Sequence, residues 1–377
     1  MRDAVIVDAV RTPIGKRNGS LAEIHPADLS AHVLNALVER TNIDPGVVDD
    51  VVWGCVGQVG DQANNIGRSG VLAAGWPTSV PATTVDRQCG SSQQALHFAA
   101  AGVIAGQYDV AVAGGVESMS RVPMGTSRHT GQPFGQTVLD RFGVEAFNQG
   151  IGAEMIAEKW ALSRRQLDEF AAGSHEKAAA ATDSGVFTGQ VAALPGVLDS
   201  DEGIRRGTTA DTLAGLKTSF KADGAIHAGN ASQISDGAGA LLVTTTEKAR
   251  QLGLTPIARI HTAVTVGDDP VIMLTGPIPA TAKVLERSGL SIADIGAFEI
   301  NEAFASVPLA WLAETGADPA LVNPLGGAIA VGHPLGGSGA VLMTRLVHHM
   351  RDNNIRYGLQ TMCEGGGMAN ATIVELL

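Results

Sequence analysis

Three residues stand out for the chemistry that their types and settings allow. Cys89 lies in Val85-Asp86-Arg87-Gln88-Cys89-Gly90-Ser91, where a β-branched run gives way to a helix-forming stretch. A thiol at a helix start sits among unpaired backbone N–H groups and the positive end of the helix dipole, which favour thiolate and predict a lowered pKa. A lone cysteine can equally be a buried structural one. His333 stands in Gly332-His333-Pro334-Leu335-Gly336-Gly337, a tight loop that offers little side-chain cover. An imidazole held there can take a proton near neutral pH, as a thiol nucleophile requires. Cys363 precedes Glu364 and the run Gly365-Gly366-Gly367 at the end of a strand-like segment. A second thiol at such a turn can serve as acid or base toward carbon.

Two further segments carry polar groups at element junctions. Asn301-Glu302-Ala303-Phe304 joins a strand to a helix, so Asn301 is also a candidate helix cap. Gly229-Asn230-Ala231-Ser232 and Ser235-Asp236-Gly237-Ala238-Gly239 read as a small-residue loop. The glycine run around His333 lacks the strand-then-Gly-x-Gly-x-x-Gly order of a dinucleotide site.

The elements that must position these residues alternate between strand and helix in both outer thirds of the chain, the pattern of α/β layers. Strand-like segments cover 4–10, 51–55, 82–85, 109–113, 257–266, 297–300, 357–362 and 371–376, with 109–113 closed by Gly114-Gly115. Helical spacing covers 28–40, 91–106, 281–287, 303–315 and 339–350. The middle is irregular from 118 to 148 and from 203 to 228. Between them, Ser163 with Gln166 three residues on predicts a capping box and a helix to about Ala181. An irregular insertion of that length is a candidate binding loop. The two ends also repeat faintly: Cys89 leads into a helix, a strand and Gly114-Gly115, while His333 leads into a helix, a strand and Gly365-Gly366-Gly367. Two copies of one unit would set Cys89 and His333 at equivalent, facing corners.

Composition limits the classes. With 377 residues, 45% hydrophobic and 17% charged, the chain has apolar material for two packed domains or one doubled domain. A net charge of −12 without basic runs argues against nucleic acid or an anionic membrane as partner. The 3 cysteines form no Cys-x-x-Cys unit, which argues against a disulfide framework or a metal site and for a reducing compartment. No signal peptide or membrane span is evident, so a soluble cytoplasmic protein is expected.

Taken together, the chain resembles the thiolases (acetyl-CoA acyltransferases). The blocks that carry this are Val5 to Pro13, Val85 to Ser91, Gly114-Gly115-Val116-Glu117-Ser118-Met119, Gly229 to Ser232, Asn301 to Phe304, Gly332-His333-Pro334, and Cys363 to Gly367. The resemblance implies an α/β thiolase fold, five-layered αβαβα and built from two similar halves with an inserted loop domain. Residues 1–118 with 233–255 would form the N-terminal half, 119–232 the loop domain for CoA and substrate, and 256–377 the C-terminal half.

The same resemblance implies the roles. Cys89 would carry the acyl group, His333 would activate it, and Cys363 would exchange a proton with the acetyl-CoA enolate. Asn301 (through a water) and His333 would form one oxyanion hole; the N–H groups of Cys89 and Gly365 would form the other. Ser232 would contact the CoA pantetheine, and Arg205 or Arg206 the adenine or nucleotide phosphates. Coenzyme A would be a co-substrate, with no tightly bound cofactor and no metal, and the assembly would be a homodimer or homotetramer. Asn148 stands where biosynthetic acetoacetyl-CoA thiolases carry a histidine. That departure and the Arg87-Gln88 and Ser92-Gln93-Gln94 flanks of the nucleophile block resemble degradative enzymes of actinobacterial lipid and sterol breakdown. The expected reaction is thiolytic cleavage of a 3-oxoacyl-CoA. The alternatives are biosynthetic acetoacetyl-CoA formation, a decarboxylating ketoacyl synthase (disfavoured because Cys363 stands where those enzymes have a second histidine), and an inactive CoA-binding scaffold.

Overall fold

The computed structural model describes residues 2–377. Among the described residues there are ten strands: β1 (Val5–Arg11), β2 (Gly15–Lys16), β3 (Asp50–Gly54), β4 (Ala82–Val85), β5 (Val110–Ser118), β6 (Ser235–Thr244), β7 (Ala258–Gly267), β8 (Ala297–Ile300), β9 (Tyr357–Glu364) and β10 (Met368–Leu376). They run in the order β4-β3-β5-β6-β1-β7-β10-β9-β8, with the short β2 on β6. β1 and β7 share only the pairs Val5↔Arg259 and Ile6↔Ala258, so the array is two sheets joined at one corner.

The repeat suspected from the sequence is explicit in this topology. In one half β3 is parallel to β5, which is antiparallel to β6, which is antiparallel to β1. In the other half β8 is parallel to β9, which is antiparallel to β10, which is antiparallel to β7. Helix Ser91–Ala105 precedes β5 as helix Ser338–Asn353 precedes β9. These two helices pack against each other and between the sheets, while Pro26–Thr41 and Ile66–Ala73 cover the first sheet and Pro277–Ser288 covers the second. Five layers result. Their cores are Val, Ile, Leu and Ala from alternating strand positions, with Trp53 and Trp311 fully buried in the two outer ones.

Small residues set the spacing of the central layer. A Cβ on Gly339 would collide with the backbone nitrogen of Gln93, so the two central helices touch backbone to backbone there. Ser92 Oγ accepts from Ala340 N at 2.9 Å in the same contact. Beneath it Gln93 Nε2 donates to Thr372 Oγ1 at 2.7 Å, and Gln360 Nε2 donates to Gly339 O at 3.0 Å, so buried polar groups link the two central helices to β9 and β10.

The chain between β5 and β6 departs from alternation. It holds helices Gln136–Phe142, Gln149–Lys159, Arg164–Asp183 and Ala210–Ala214. The third opens with the reciprocal Ser163/Gln166 capping box that the sequence predicted. A buried ion pair ties this segment to β1: Arg11 Nη1 and Nη2 meet Asp201 Oδ1 and Oδ2 at 2.6 and 2.9 Å, and Asp201 also accepts from Ile14 N at 2.9 Å.

Two local readings are corrected. β5 does not close at Gly114-Gly115 but continues to Ser118, because both glycines pair with β3 and β6, and a side chain on Gly115 would strike the Gly336 carbonyl. Ser235 to Gly239 is not a loop but the start of β6, paired with β5 from Ser118↔Asp236 onward. Gly339→Ala should lower stability by about 1–3 kcal/mol through overpacking. The check is the denaturant midpoint, and an unchanged midpoint would show that the helices separate without cost.

Candidate active site

Cys89 follows the Asp86-Arg87-Gln88 turn and precedes Gly90, the cap of helix Ser91–Ala105. Gln88 adopts φ 49°, a left-handed conformation that non-glycine residues seldom take, and Asp86 Oδ1 accepts its N–H at 2.7 Å. That turn swings the thiol toward the second half of the molecule. Met362 and Leu335, neighbours of Cys363 and His333, pack against Cys89 in one small apolar cluster. Gly365 lies opposite the Gln88 side chain.

His333 is 3% exposed and held on all sides. Its backbone N–H reaches Gln233 O and Ser235 Oγ, each at 3.2 Å. Its Nδ1 lies 2.5 Å from Ser338 Oγ, and that hydroxyl donates to Pro334 O at 2.9 Å. Since the hydroxyl has one hydrogen, the bond to Nδ1 requires Nδ1–H as donor. The lone pair is therefore on Nε2, which faces Asn301 Nδ2 at 3.4 Å. Asn301 is not a helix cap, because the following helix begins only at Ser306 with Ala305 as its cap. Asn301 Oδ1 is a buried acceptor without a protein partner.

Burial dominates the electrostatics. It pushes the Cys89 thiol up to about 12, with the Glu364 carboxyl adding to the rise and the Gln149 side chain opposing it. It pushes the His333 imidazole down to about 4. Cys363 is also held well above the ordinary thiol value, by burial first and then by charge on Cys89. The expected activation of Cys89 by the helix start and the expected near-neutral titration of His333 are both corrected: desolvation of a charged form in a closed site exceeds the dipole contribution. Burial therefore favours the neutral thiol at Cys89 and the neutral imidazole at His333.

Glu117 joins the loops around this pair. Its carboxylate accepts from Val56 N and Gly57 N at 2.9 Å each, and from Gln62 Nε2 and Gly336 N at 2.8 Å each. Glu302 does the same for the far wall, accepting from Ser174 Oγ at 2.7 Å, Asn323 Nδ2 at 2.9 Å and Ile329 N at 3.1 Å. Both were visible as acidic residues inside small-residue blocks, but their partners lie too far away along the chain to be read from it.

Cys89 and Gly365 line a cavity of about 620 Å³. Met119, Met124, Phe134, Phe147, Met273 and Phe304 supply much of its apolar wall. Asn148 also lines it, and its presence has a local cause: its Oδ1 caps helix Gln149–Lys159 by accepting from Gly150 N at 2.9 Å and Ile151 N at 3.2 Å. His333, Cys363 and Asn301 are not among the residues that line the cavity; His333 Nε2 meets Asn301 Nδ2 at 3.4 Å, and Cys363 lies close enough to Cys89 for charge there to push its thiol up. Ser232 is bonded through its N–H to Ala303 O at 2.9 Å, which sets it beside the Phe304 segment but outside the cavity. Arg205 is exposed and apart from the cavity. Arg206 is also exposed and is engaged by Asp183, at 2.7 Å to each carboxylate oxygen. Among the described residues no cluster of three metal-binding side chains occurs.

Family comparison agrees with this geometry over the whole chain. Residues 4–247 match the thiolase N-terminal domain and residues 254–376 the thiolase C-terminal domain. The chain belongs to the thiolase family. It is an acyltransferase with the thiolase fold. It is 50% identical to the steroid 3-ketoacyl-CoA thiolase FadA6 of Mycobacterium tuberculosis, covering 100% of this chain and 95% of that protein. A 3-ketoacyl-CoA thiolase of Erwinia tasmaniensis is 45% identical, with 100% of both chains covered. The crystal structure of the Bacillus anthracis acetyl-CoA acetyltransferase superposes with a TM-score of 0.92 at 38% identity, covering 100% of this chain and 99% of that one.

Ser338→Ala removes the acceptor that holds Nδ1–H. Loss of the oriented imidazole should reduce turnover by about 10²-fold, within the range typical of a positioned acid–base group. Steady-state kinetics beside a thermal melt check this, and turnover at the wild-type level would show that the tautomer is set elsewhere.

Proposed function

We propose that this thiolase is degradative and cleaves 3-oxoacyl-CoA substrates longer than four carbons, using CoA to give acetyl-CoA and an acyl-CoA shortened by two carbons. The observation that carries the proposal is Cys89 in the wall of a cavity lined by methionine and phenylalanine side chains. A volume of about 620 Å³ falls in the range of roughly 300–1,000 Å³ that accommodates extended ligands. The steroid and 3-ketoacyl names of the relatives support the same direction.

The reaction divides into two transfers. The Cys89 proton passes to His333 Nε2 as the sulfur attacks the C3 carbonyl of the substrate. Proton transfer within a buried neutral pair creates opposite charges side by side, so the ion pair forms only as the attack consumes the thiolate. The tetrahedral oxygen is stabilised by the N–H groups of Cys89 and Gly365. Collapse breaks the C2–C3 bond, leaving the acyl group on sulfur and an acetyl-CoA enolate. Asn301, through a water, and His333 stabilise the enolate oxygen, and Cys363 delivers the proton to C2. A CoA thiol then attacks the thioester, releases the shortened acyl-CoA and restores Cys89. Each oxyanion donor of this kind is worth about 10²–10³ in rate.

The finer assignments follow the same reading. Residues 1–118 with 233–255 form one half, 256–377 the other, and 119–232 the loop domain that holds CoA and substrate. Ser232 contacts the pantetheine, and Arg205 or Arg206 the nucleotide end of CoA. CoA acts as co-substrate with no tightly bound cofactor. The enzyme works in the cytoplasm, which suits 3 unpaired cysteines, and no helix of the described residues is long and apolar enough to cross a membrane. A homodimer or homotetramer is supported by the free edge of β4 and by Phe98, exposed at 48% on the adjacent helix.

Mass spectrometry after mixing with a 3-oxoacyl-CoA should find the shortened acyl group on Cys89, and folded Cys89→Ala should show no adduct and no thiolysis. Across a substrate panel, kcat/KM for longer or ring-bearing acyl chains should exceed that for acetoacetyl-CoA by at least about tenfold, given what added buried methylenes contribute. A preference for acetoacetyl-CoA would overturn the degradative assignment.

A further inference from the structure

Glu364 follows Cys363 on β9, and the mechanism does not use it. Strand alternation turns Met362 and Glu364 to the face where Cys89 packs, opposite to Cys363. Its carboxyl is fully buried, and neither oxygen has a hydrogen-bond partner. It lies directly against Gly90, since a Cβ there would overlap Glu364 Oε1 and come within 2.8 Å of Asn370 Nδ2. Asn370 Nδ2 donates to Gly90 O at 3.1 Å, while Asn370 Oδ1 is another buried acceptor with no partner. Three orphaned acceptor atoms thus crowd the backbone that carries the reacting thiol. Unpaired buried acceptors are costly, and one added hydrogen relieves the group.

We propose that Glu364 is a positioning residue for Cys89: as the neutral acid it donates to Asn370 Oδ1, completing a chain through Asn370 Nδ2 to the Gly90 carbonyl, and as a carboxylate it opposes ionisation of the thiol. The proposal rests on the reading of Cys89 as nucleophile. Burial pushes the Glu364 carboxyl up to about 8, against the opposing pull of Arg87 and with Asp86 adding to the rise. The neutral acid is therefore the main form at pH 7 and is lost as pH rises through 8. The groups facing it are few. Arg87 and Asp86 come from the turn before Cys89, and Cys363 adjoins it on β9. β10 presents the uncharged Asn370 and Met368. On the Cys89 helix, burial keeps His97 neutral, pushing it down to about 4. Lys283 shares a shallow dent with Arg87 and is engaged by Thr265 O at 2.9 Å. The first cation available to ionised Glu364 is Arg87, whose Nε is buried without a partner.

The test compares alkylation of Cys89 by iodoacetamide in the wild type, Glu364→Gln and Glu364→Met between pH 6 and pH 9.5, followed by peptide mass spectrometry beside a thermal melt. Both substitutions mimic the uncharged side chain. The ratio of variant to wild-type rate should stay near one below pH 7 and rise above pH 8 by about three- to tenfold, as removal of one adjacent negative charge predicts. A ratio that does not change with pH overturns the proposal. Should both variants fail to fold, the wild-type profile decides: the logarithm of its rate should bend downward near pH 8, and a straight climb overturns the proposal. Absence of any acyl adduct on Cys89 from acyl-CoA would instead sink the nucleophile reading, a result that the alkylation ratio does not touch.

Discussion

Close approach of the two central helices is the constraint on which the site depends. Helices Ser91–Ala105 and Ser338–Asn353 each carry a reactive loop at the N-terminal end, and each is backed by its own sheet. Cys89 and His333 stand just before these two helices, which meet without intervening side chains at Gly339 against Gln93 and at Ala340 against Ser92. Any residue with a Cβ at 339 forces the two halves apart. Gly54, Gly115 and Gly339 are three of the glycines whose backbone lies against the other copy of the repeat.

Charge management follows from the same closeness. Burial raises the Cys89 thiol and lowers the His333 imidazole, so both are favoured in their neutral forms. Under the proposed mechanism, a thiol kept neutral in the free enzyme is protected from adventitious attack and becomes nucleophilic only as substrate makes charge separation worthwhile. Buried carboxyls around the pair divide by their partners. Glu117 and Glu302 gather backbone N–H groups and side-chain donors that stitch remote loops together, whereas Glu364 has none and stays protonated at neutral pH. Identical side-chain chemistry thus serves as staple in two places and as neutral spacer in the third.

The irregular segment between β5 and β6 provides what the repeat cannot. It contributes Met119, Met124, Phe134 and Phe147 to the cavity wall, while the buried Arg11–Asp201 pair anchors its far end to β1. Breaking such a pair on one side typically costs about 3–5 kcal/mol, so the anchor is firm even though the covering stretch is loosely structured.

Much of this was legible in the residues themselves. Alternating strand and helix periodicity marked most elements, the Ser163/Gln166 spacing marked a helix start, and Cys89, His333 and Cys363 stood out as candidates by their glycine-bearing settings. Those signals are local, and local sequence determines local conformation. Continuation of β5 through Gly114-Gly115, and the start of β6 at Ser235, depended on partner strands remote in the sequence, which no local window contains. The tautomer of His333, the neutrality of Cys89 and the isolation of Glu364 were likewise decided only in the folded chain. Each depends on which distant groups exclude water or supply a donor, and that is a property of packing in three dimensions and not of the order of residues.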